Sequence, residues 1–356
     1  MKHIYAFLLL AGSVFAGKVG EVQTVQGVAQ HAVYEGTVVA THADAPPRNV
    51  IVMIGDGMSA EHVWAAWVCN GGKLNLEKLP ITGFSRTYSA DNLITDSAAG
   101  GTALACGEKT DNGMLGQTPA GQPLLSLVDV FTAAPHHKKA GVVVTKAITD
   151  ATPAAFYSHT DSRKNTAAIA SQLCKAPLSV IVGGGAEAFS AQQMKELAGK
   201  PGCYVLLAAK GNMPYAAERG DFLAQQTAKA LSLLESAPNG FFLMIEGSEI
   251  DTASHDAELR LAIEETLDFD RALGVVLRWM QSHPDTLLVV TADHQTGGIA
   301  IHGGDVKKGK VKAVFSSTSH TGLAVPVYAA GTGAVNFTGV MDNTQIPAKI
   351  LQIVEK

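Results

Sequence analysis

From Asn49 onward the chain alternates between short apolar runs and longer segments of helical periodicity. Residues 50–54, 141–145, 178–182, 241–245, 286–291 and 325–330 are almost wholly apolar, without the in-and-out alternation of a half-solvated strand. Runs of this length and composition predict strands buried on both faces of a parallel sheet. Residues 257–280 place Ile263, Leu267, Leu273, Leu277 and Met280 at spacings near three to four, which predicts a long amphipathic helix. The alternation predicts an α/β fold. In such a sheet, ligands bind outside the carboxyl ends of the strands, and the polar residues of greatest interest follow those ends. No internal repeat or low-complexity tract interrupts the pattern.

Ahead of this region the chain reads differently. Lys2 and His3 precede the apolar run 4–10, and Val14-Phe15-Ala16 places small residues at −3 and −1. This predicts a signal peptide over 1–16, cleaved after Ala16, and hence a periplasmic or secreted protein. The run is too short to span a bilayer. Residues 17–47 are polar, end in Ala45-Pro46-Pro47, and read as an N-terminal extension or linker. With 356 residues, 47% of them hydrophobic, the chain has ample material for a large core. A net charge of −5 without long runs of one sign argues against nucleic acid or an anionic membrane as main partner. Export would allow Cys69, Cys106, Cys174 and Cys203 to pair; Cys174 with Cys203 is the preferred bridge, and Cys106 is expected to be a buried thiol.

The chemistry concentrates in a few short segments. In Thr95-Asp96-Ser97-Ala98-Ala99-Gly100-Gly101 a serine stands where a polar turn becomes a run of small, helix-compatible residues. Such a hydroxyl lies at a helix N-terminus, whose unpaired N–H groups and positive dipole end favour phosphate. Asp56 sits between glycines after the first apolar run, and Glu246 directly follows another. Asp251 and His255 are one helical turn apart, as a carboxylate and an imidazole on one zinc would be. Asp293-His294 pairs two ligand types after a further strand, and His320 supplies one more imidazole. Arg163 offers a guanidinium fork that matches phosphate oxygens. Serine, arginine and divalent metals together suit phosphate-ester hydrolysis. Gly183-Gly184-Gly185 lacks the spacing of a nucleotide loop and reads as a turn. His31, His42, His62, His136, His137, His283 and His302 read as surface or structural.

Taken in chain order, these segments resemble the bacterial alkaline phosphatases from about Asn49 to the C-terminus. The resemblance implies a single catalytic domain over 48–356, a three-layer sandwich with a central, mostly parallel sheet flanked by helices, compact and without a large crown insertion. It implies that Ser97 is the nucleophile that becomes phosphoserine and that Arg163 clamps phosphate. It implies one zinc on Asp251, His255 and His320, and a second on Asp56, Asp293 and His294 that also takes the Ser97 oxygen. Asp56 would bridge to a magnesium held also by Thr152 and Glu246. Asp150 matches an acid that orders magnesium-bound water or the arginine. Thr252 departs from the lysine, histidine or tryptophan that several relatives carry after the zinc-binding aspartate. The reaction implied is hydrolysis of phosphate monoesters to alcohol and inorganic phosphate, in a homodimer without a membrane anchor.

The donor types suit zinc, but cobalt or manganese could occupy the same positions. Phosphodiesterases, sulfatases and phosphosugar mutases of the same superfamily are the nearest rivals. A periplasmic scavenger of phosphate or metal is the rival from another class, and it would need no nucleophile.

Overall fold

A computed structural model describes residues 19–42 and 45–355; the leader expected over 1–16 lies outside the described residues. Among these, nine strands form the path of one central sheet: β1 (Asn49–Gly55), β2 (Ile81–Arg86), β3 (Lys139–Ala147), β4 (Val180–Gly184), β5 (Tyr204–Leu207), β6 (Phe241–Gly247), β7 (Thr286–Thr291), β8 (Val325–Thr332) and β9 (Gly339–Asp342). Their spatial order is β9-β2-β8-β7-β1-β6-β3-β4-β5, and the two-residue strand Ala40–Thr41 pairs beside β8. Strands β7-β1-β6-β3-β4-β5 run parallel. β8 runs antiparallel to both β7 and β2, so the sheet is mostly rather than wholly parallel.

The central strands lack polar alternation because both of their faces are covered. In β1, Ile51 and Met53 enter one core while Val50, Val52 and Ile54 enter the other; β6 divides Phe241, Leu243 and Ile245 from Phe242 and Met244 in the same way. A period of two thus survives as a choice between two cores. Five helices matter for the site: α1 (Ala60–Cys69), α2 (Ser97–Cys106), α3 (Ala151–Ala154), α4 (Glu249–His255) and α5 (Leu259–Met280). α1 and α5 cover one face of the sheet, and α2 with Leu127–Thr132, Thr166–Lys175 and Gln345–Val354 covers the other. No helix of the described residues is long and apolar enough to cross a membrane.

All six apolar runs are strands. Three differences from expectation have local causes. The helix predicted over 257–280 begins at Leu259, because Ala257 adopts a left-handed φ of 53° that separates α4 from α5. The stretch read as an extension or linker packs along the body. Gln23–Val25 pairs antiparallel with Lys310–Phe315, Val25, Val28 and Tyr34 are buried, and His31 Nε2 lies 3.1 Å from Asp270. All four cysteines are free thiols, so the expected Cys174–Cys203 bridge is absent. Cys174 lies in the last turn of its helix with Sγ toward the Gln193 carbonyl, whereas Cys203 Sγ turns to the Tyr204 carbonyl. Cys106 is only partly buried rather than enclosed.

Candidate active site

The parallel strands end at one edge, and four of them, β1, β3, β6 and β7, lead into polar groups there. Asp56 follows β1, Glu246 closes β6, Asp293 and His294 follow β7, and Asp150 precedes α3, which carries Thr152. The turn after β1 requires glycine: Gly57 has φ +70°, and a Cβ there would meet Thr296 Oγ1 at 2.6 Å. Its N–H donates to Asp293 Oδ1 at 3.1 Å, tying two strand ends together. α2 approaches the same edge closely because Gly100 and Gly101 lack side chains. A Cβ on them would sit 3.0 Å from the Asp293 carbonyl and 3.2 Å from Thr152 Cα. Asp96 caps α2 by accepting from Ala99 N at 3.0 Å, and Ser97 is its first residue, as the sequence predicts.

The structure brings together every residue singled out for the site except Thr252. Asp251 Oδ1, His255 Nε2 and His320 Nε2 lie 3.1 to 3.5 Å from one another. Asp56 Oδ1 and Asp293 Oδ2 lie 3.4 and 3.1 Å from His294 Nε2, and Ser97 Oγ lies 3.1 Å from that same nitrogen. The groups touch, because His294 also converges with Asp251 and His320. Thr252 stands apart on α4, with its hydroxyl bonded to Glu249.

Hydrogen bonding on the far side of each imidazole fixes which nitrogen faces inward. His255 Nδ1 meets the Thr318 carbonyl at 2.6 Å and His320 Nδ1 meets the Thr95 carbonyl at 2.8 Å. Carbonyls only accept, so both Nδ1 atoms carry the proton and both Nε2 atoms present lone pairs. Thr296 Oγ1 donates to Asp251 Oδ1 at 2.6 Å and therefore accepts from His294 Nδ1 at 3.2 Å, which leaves His294 Nε2 equally free.

Arg163 sits between two acids, Asp96 Oδ2 at 3.2 Å and Asp150 Oδ1 at 3.3 Å. Two residues were missed in the sequence. Asp96 both caps α2 and orients Arg163. Lys146, 7% exposed, directs Nζ to Asp251 Oδ2 at 3.1 Å, Asp56 Oδ2 at 3.4 Å and Asp150 Oδ2 at 3.9 Å. A charged residue near the end of an otherwise apolar strand is the signal that could have found it.

Burial, then Asp251 and Asp293, push the Asp56 carboxyl well above the usual carboxylate range. Burial and Asp150 do the same to Glu246. Asp251 goes the other way: burial raises it, but the Lys146 ammonium outweighs burial and holds it well below that range. For Lys146, burial is outweighed by Asp56, Asp251 and Asp150, so the ammonium is held charged.

The donor set suits divalent metals. Asp56 Oδ1, Asp293 Oδ2, Thr152 Oγ1 and both Glu246 carboxylate oxygens are buried without a hydrogen-bond partner. Buried polar atoms are ordinarily paired, and unpaired carboxylates are costly. Close approach without hydrogen-bond geometry, as between His294 Nε2 and its two carboxylates, is the arrangement of lone pairs converging on a cation. Imidazole and carboxylate donors suit zinc in the first two groups, and the all-oxygen set of Asp56, Thr152 and Glu246 suits magnesium.

Comparison with known proteins agrees with this chemistry. The profile of the alkaline phosphatase family matches residues 47–204 and 190–314. Alkaline phosphatase 4 of Bacillus subtilis is 31% identical, over 86% of this chain and 89% of that protein. Streptomycin-6-phosphate phosphatase of Streptomyces griseus is 31% identical, over 85% of this chain and 89% of its own. Among solved structures, a mutant of the alkaline phosphatase from the Antarctic bacterium TAB5, with magnesium bound in its M3 site, superposes with a TM-score of 0.82 at 31% identity. That match covers 87% of this chain and 98% of the other. The chain therefore belongs to the alkaline phosphatase family, and it is a metal-dependent phosphatase that hydrolyses phosphate monoesters.

Proposed function

We propose that this enzyme works through a covalent phosphoserine on Ser97, with two zinc ions and one magnesium per chain. The observation that carries the reading is the placement of Ser97. Its Oγ lies at the N-terminus of α2 and 3.1 Å from His294 Nε2, where the two imidazole–carboxylate groups meet. Asp251, His255 and His320 would hold one zinc; Asp56, Asp293 and His294 the second; Asp56, Thr152 and Glu246 the magnesium. Bound there, the metals supply Lewis-acid charge to the attacking and departing oxygens and to the hydrolytic water.

The residues of the chain do the positioning. The Ser97 oxygen attacks phosphorus in line, the bond from phosphorus to the ester oxygen breaks, and the alcohol leaves with a proton. Water then attacks the phosphoserine, and the phosphorus–serine bond breaks to release inorganic phosphate. Arg163, fixed by Asp96 and Asp150, holds two non-bridging oxygens through both steps. The N–H groups that open α2 face the same developing charge. Export, following the leader pattern of residues 1–16, and assembly as a homodimer belong to the same proposal.

The test compares an aryl phosphate monoester with the matching diester, before chelation, after it, and after zinc and magnesium are restored. Turnover should favour the monoester, vanish on chelation and return with metal. Ser97→Ala should lower kcat by at least ~10³-fold with metal content unchanged. Acid-quenched parent protein should carry one phosphoryl group on the peptide containing Ser97. Undiminished turnover in Ser97→Ala would reject the covalent route, and diester preference would reject the substrate class.

A further inference from the structure

We propose that Lys146 is a positioning residue that sets the balance between cation binding and phosphate binding at this site. Its ammonium touches three parts of the site. Asp251 belongs to the His255–His320 group, Asp56 to the His294 and Glu246 groups, and Asp150 orients Arg163. Asp56 and Asp251 present Oδ2 to the lysine while Oδ1 of each faces the imidazoles. The lysine thus fixes the rotation of both carboxylates from the side away from the imidazoles. Thr252, next to Asp251, is neutral and bonded to Glu249, so it adds no charge there.

The charge inventory gives the direction of the effect. Among the described residues, Asp56, Asp150, Glu246, Asp251 and Asp293 face only Lys146 and Arg163 as fixed side-chain cations. Deleting the ammonium makes the cluster more negative. A divalent cation on Asp56, Thr152 and Glu246 should then bind more tightly. An anionic phosphate should bind more weakly, both from the lost charge and because Asp150 is freed from one of its partners. At separations of a few ångströms in a partly buried site, each effect is about tenfold or more. Opposite signs for the two ligands distinguish this role from loosened packing, which weakens both.

The proposal rests on the metal assignments above. The parent protein's own binding of magnesium and phosphate tests those assignments, and the difference between variants tests the lysine. Magnesium binding is measured by equilibrium dialysis with elemental analysis, and inorganic phosphate binding by calorimetry on metal-loaded protein. Lys146→Met is expected to lower the magnesium Kd about tenfold and raise the phosphate Kd about tenfold. Lys146→Arg, which keeps the charge, should stay near the parent in both. Two unchanged constants in Lys146→Met, or two that weaken together, would overturn the proposal. Should Lys146→Met fail to fold, Lys146→Gln against Lys146→Arg makes the same comparison of charge removed with charge kept, judged by the same outcomes.

Discussion

His62 is a buried imidazole whose surroundings accept only its neutral form. Its Nδ1 receives the Ser59 N–H at 3.0 Å, and its Nε2 donates to Ser254 Oγ at 2.8 Å; that hydroxyl in turn donates to the Ile250 carbonyl. A proton on Nδ1 would face a donor, and burial holds the pKa down at about 4 against 6.5 for a free histidine. The unfolded chain therefore binds a proton between pH 6.5 and 4 that the folded chain refuses. The stabilisation is complete above 6.5 and is lost as pH falls toward 4, by up to roughly 3 kcal/mol. Urea titrations of the parent and His62→Gln across this window should show a shallower pH slope in the variant, and equal slopes would show that His62 is not the group responsible. Side chains differ in how far sequence can disclose them. Ser97 was legible at the polar turn that opens a run of small residues, and Asp251 with His255 from their one-turn spacing, whereas the lone imidazole of His320 found its place through the family resemblance. Lys146 and Asp96 were not read, because each acts through partners from distant parts of the chain; the one local trace is the charge of Lys146 near the end of an apolar strand.

Turns and strands carry the site, and the turn after β1 is the most constrained of them. Gly57 combines a left-handed φ with a position against Thr296, whose hydroxyl orients both Asp251 and His294. Gly57→Ala would cost about 1–2 kcal/mol in backbone strain alone. Relief of the clash would push Thr296 away, releasing both side chains at once. The expected outcome is loss of at least one equivalent of metal and a fall in kcat/KM of about a hundredfold, with α/β circular dichroism retained. Metal content and kcat/KM equal to the parent would show that the turn has room. The six strands read from the sequence are those buried on both faces, where continuous apolar runs leave a plain signal. β2 was missed because its alternate residues are exposed and Gly83 interrupts it; β5 is only half-buried along its length. The antiparallel sense of β8 was equally hidden, since a strand covered on both faces has the same composition in either direction.

Considered as one molecule, the fold buries several mutually repelling carboxylates at the edge where its chemistry lies. Burial of both Glu246 oxygens and of Asp56 Oδ1 without hydrogen-bond partners works against folding, and Lys146 and Arg163 offset only part of the repulsion. Cations that bind the folded chain and not the unfolded one must then contribute to stability as well as to reaction. Each site held a thousandfold above its Kd adds about 4 kcal/mol. Chelation should accordingly lower Tm by roughly 10 °C or more, and zinc with magnesium should restore it. Because the destabilised part is the carboxylate edge, the loss should be selective. Amide exchange should rise first at the segments holding Asp56, Glu246 and Asp293, while the interior of β6, enclosed by both cores, stays protected. The same experiment on Asp56→Asn separates charge from packing. Removing one buried negative charge should narrow the gap in Tm between metal-loaded and chelated protein, mainly by raising the chelated value. A chelated Tm equal to the loaded one in the parent would mean that the carboxylates are neutralised by protons rather than metals, and the metal-linked account of this edge would fail.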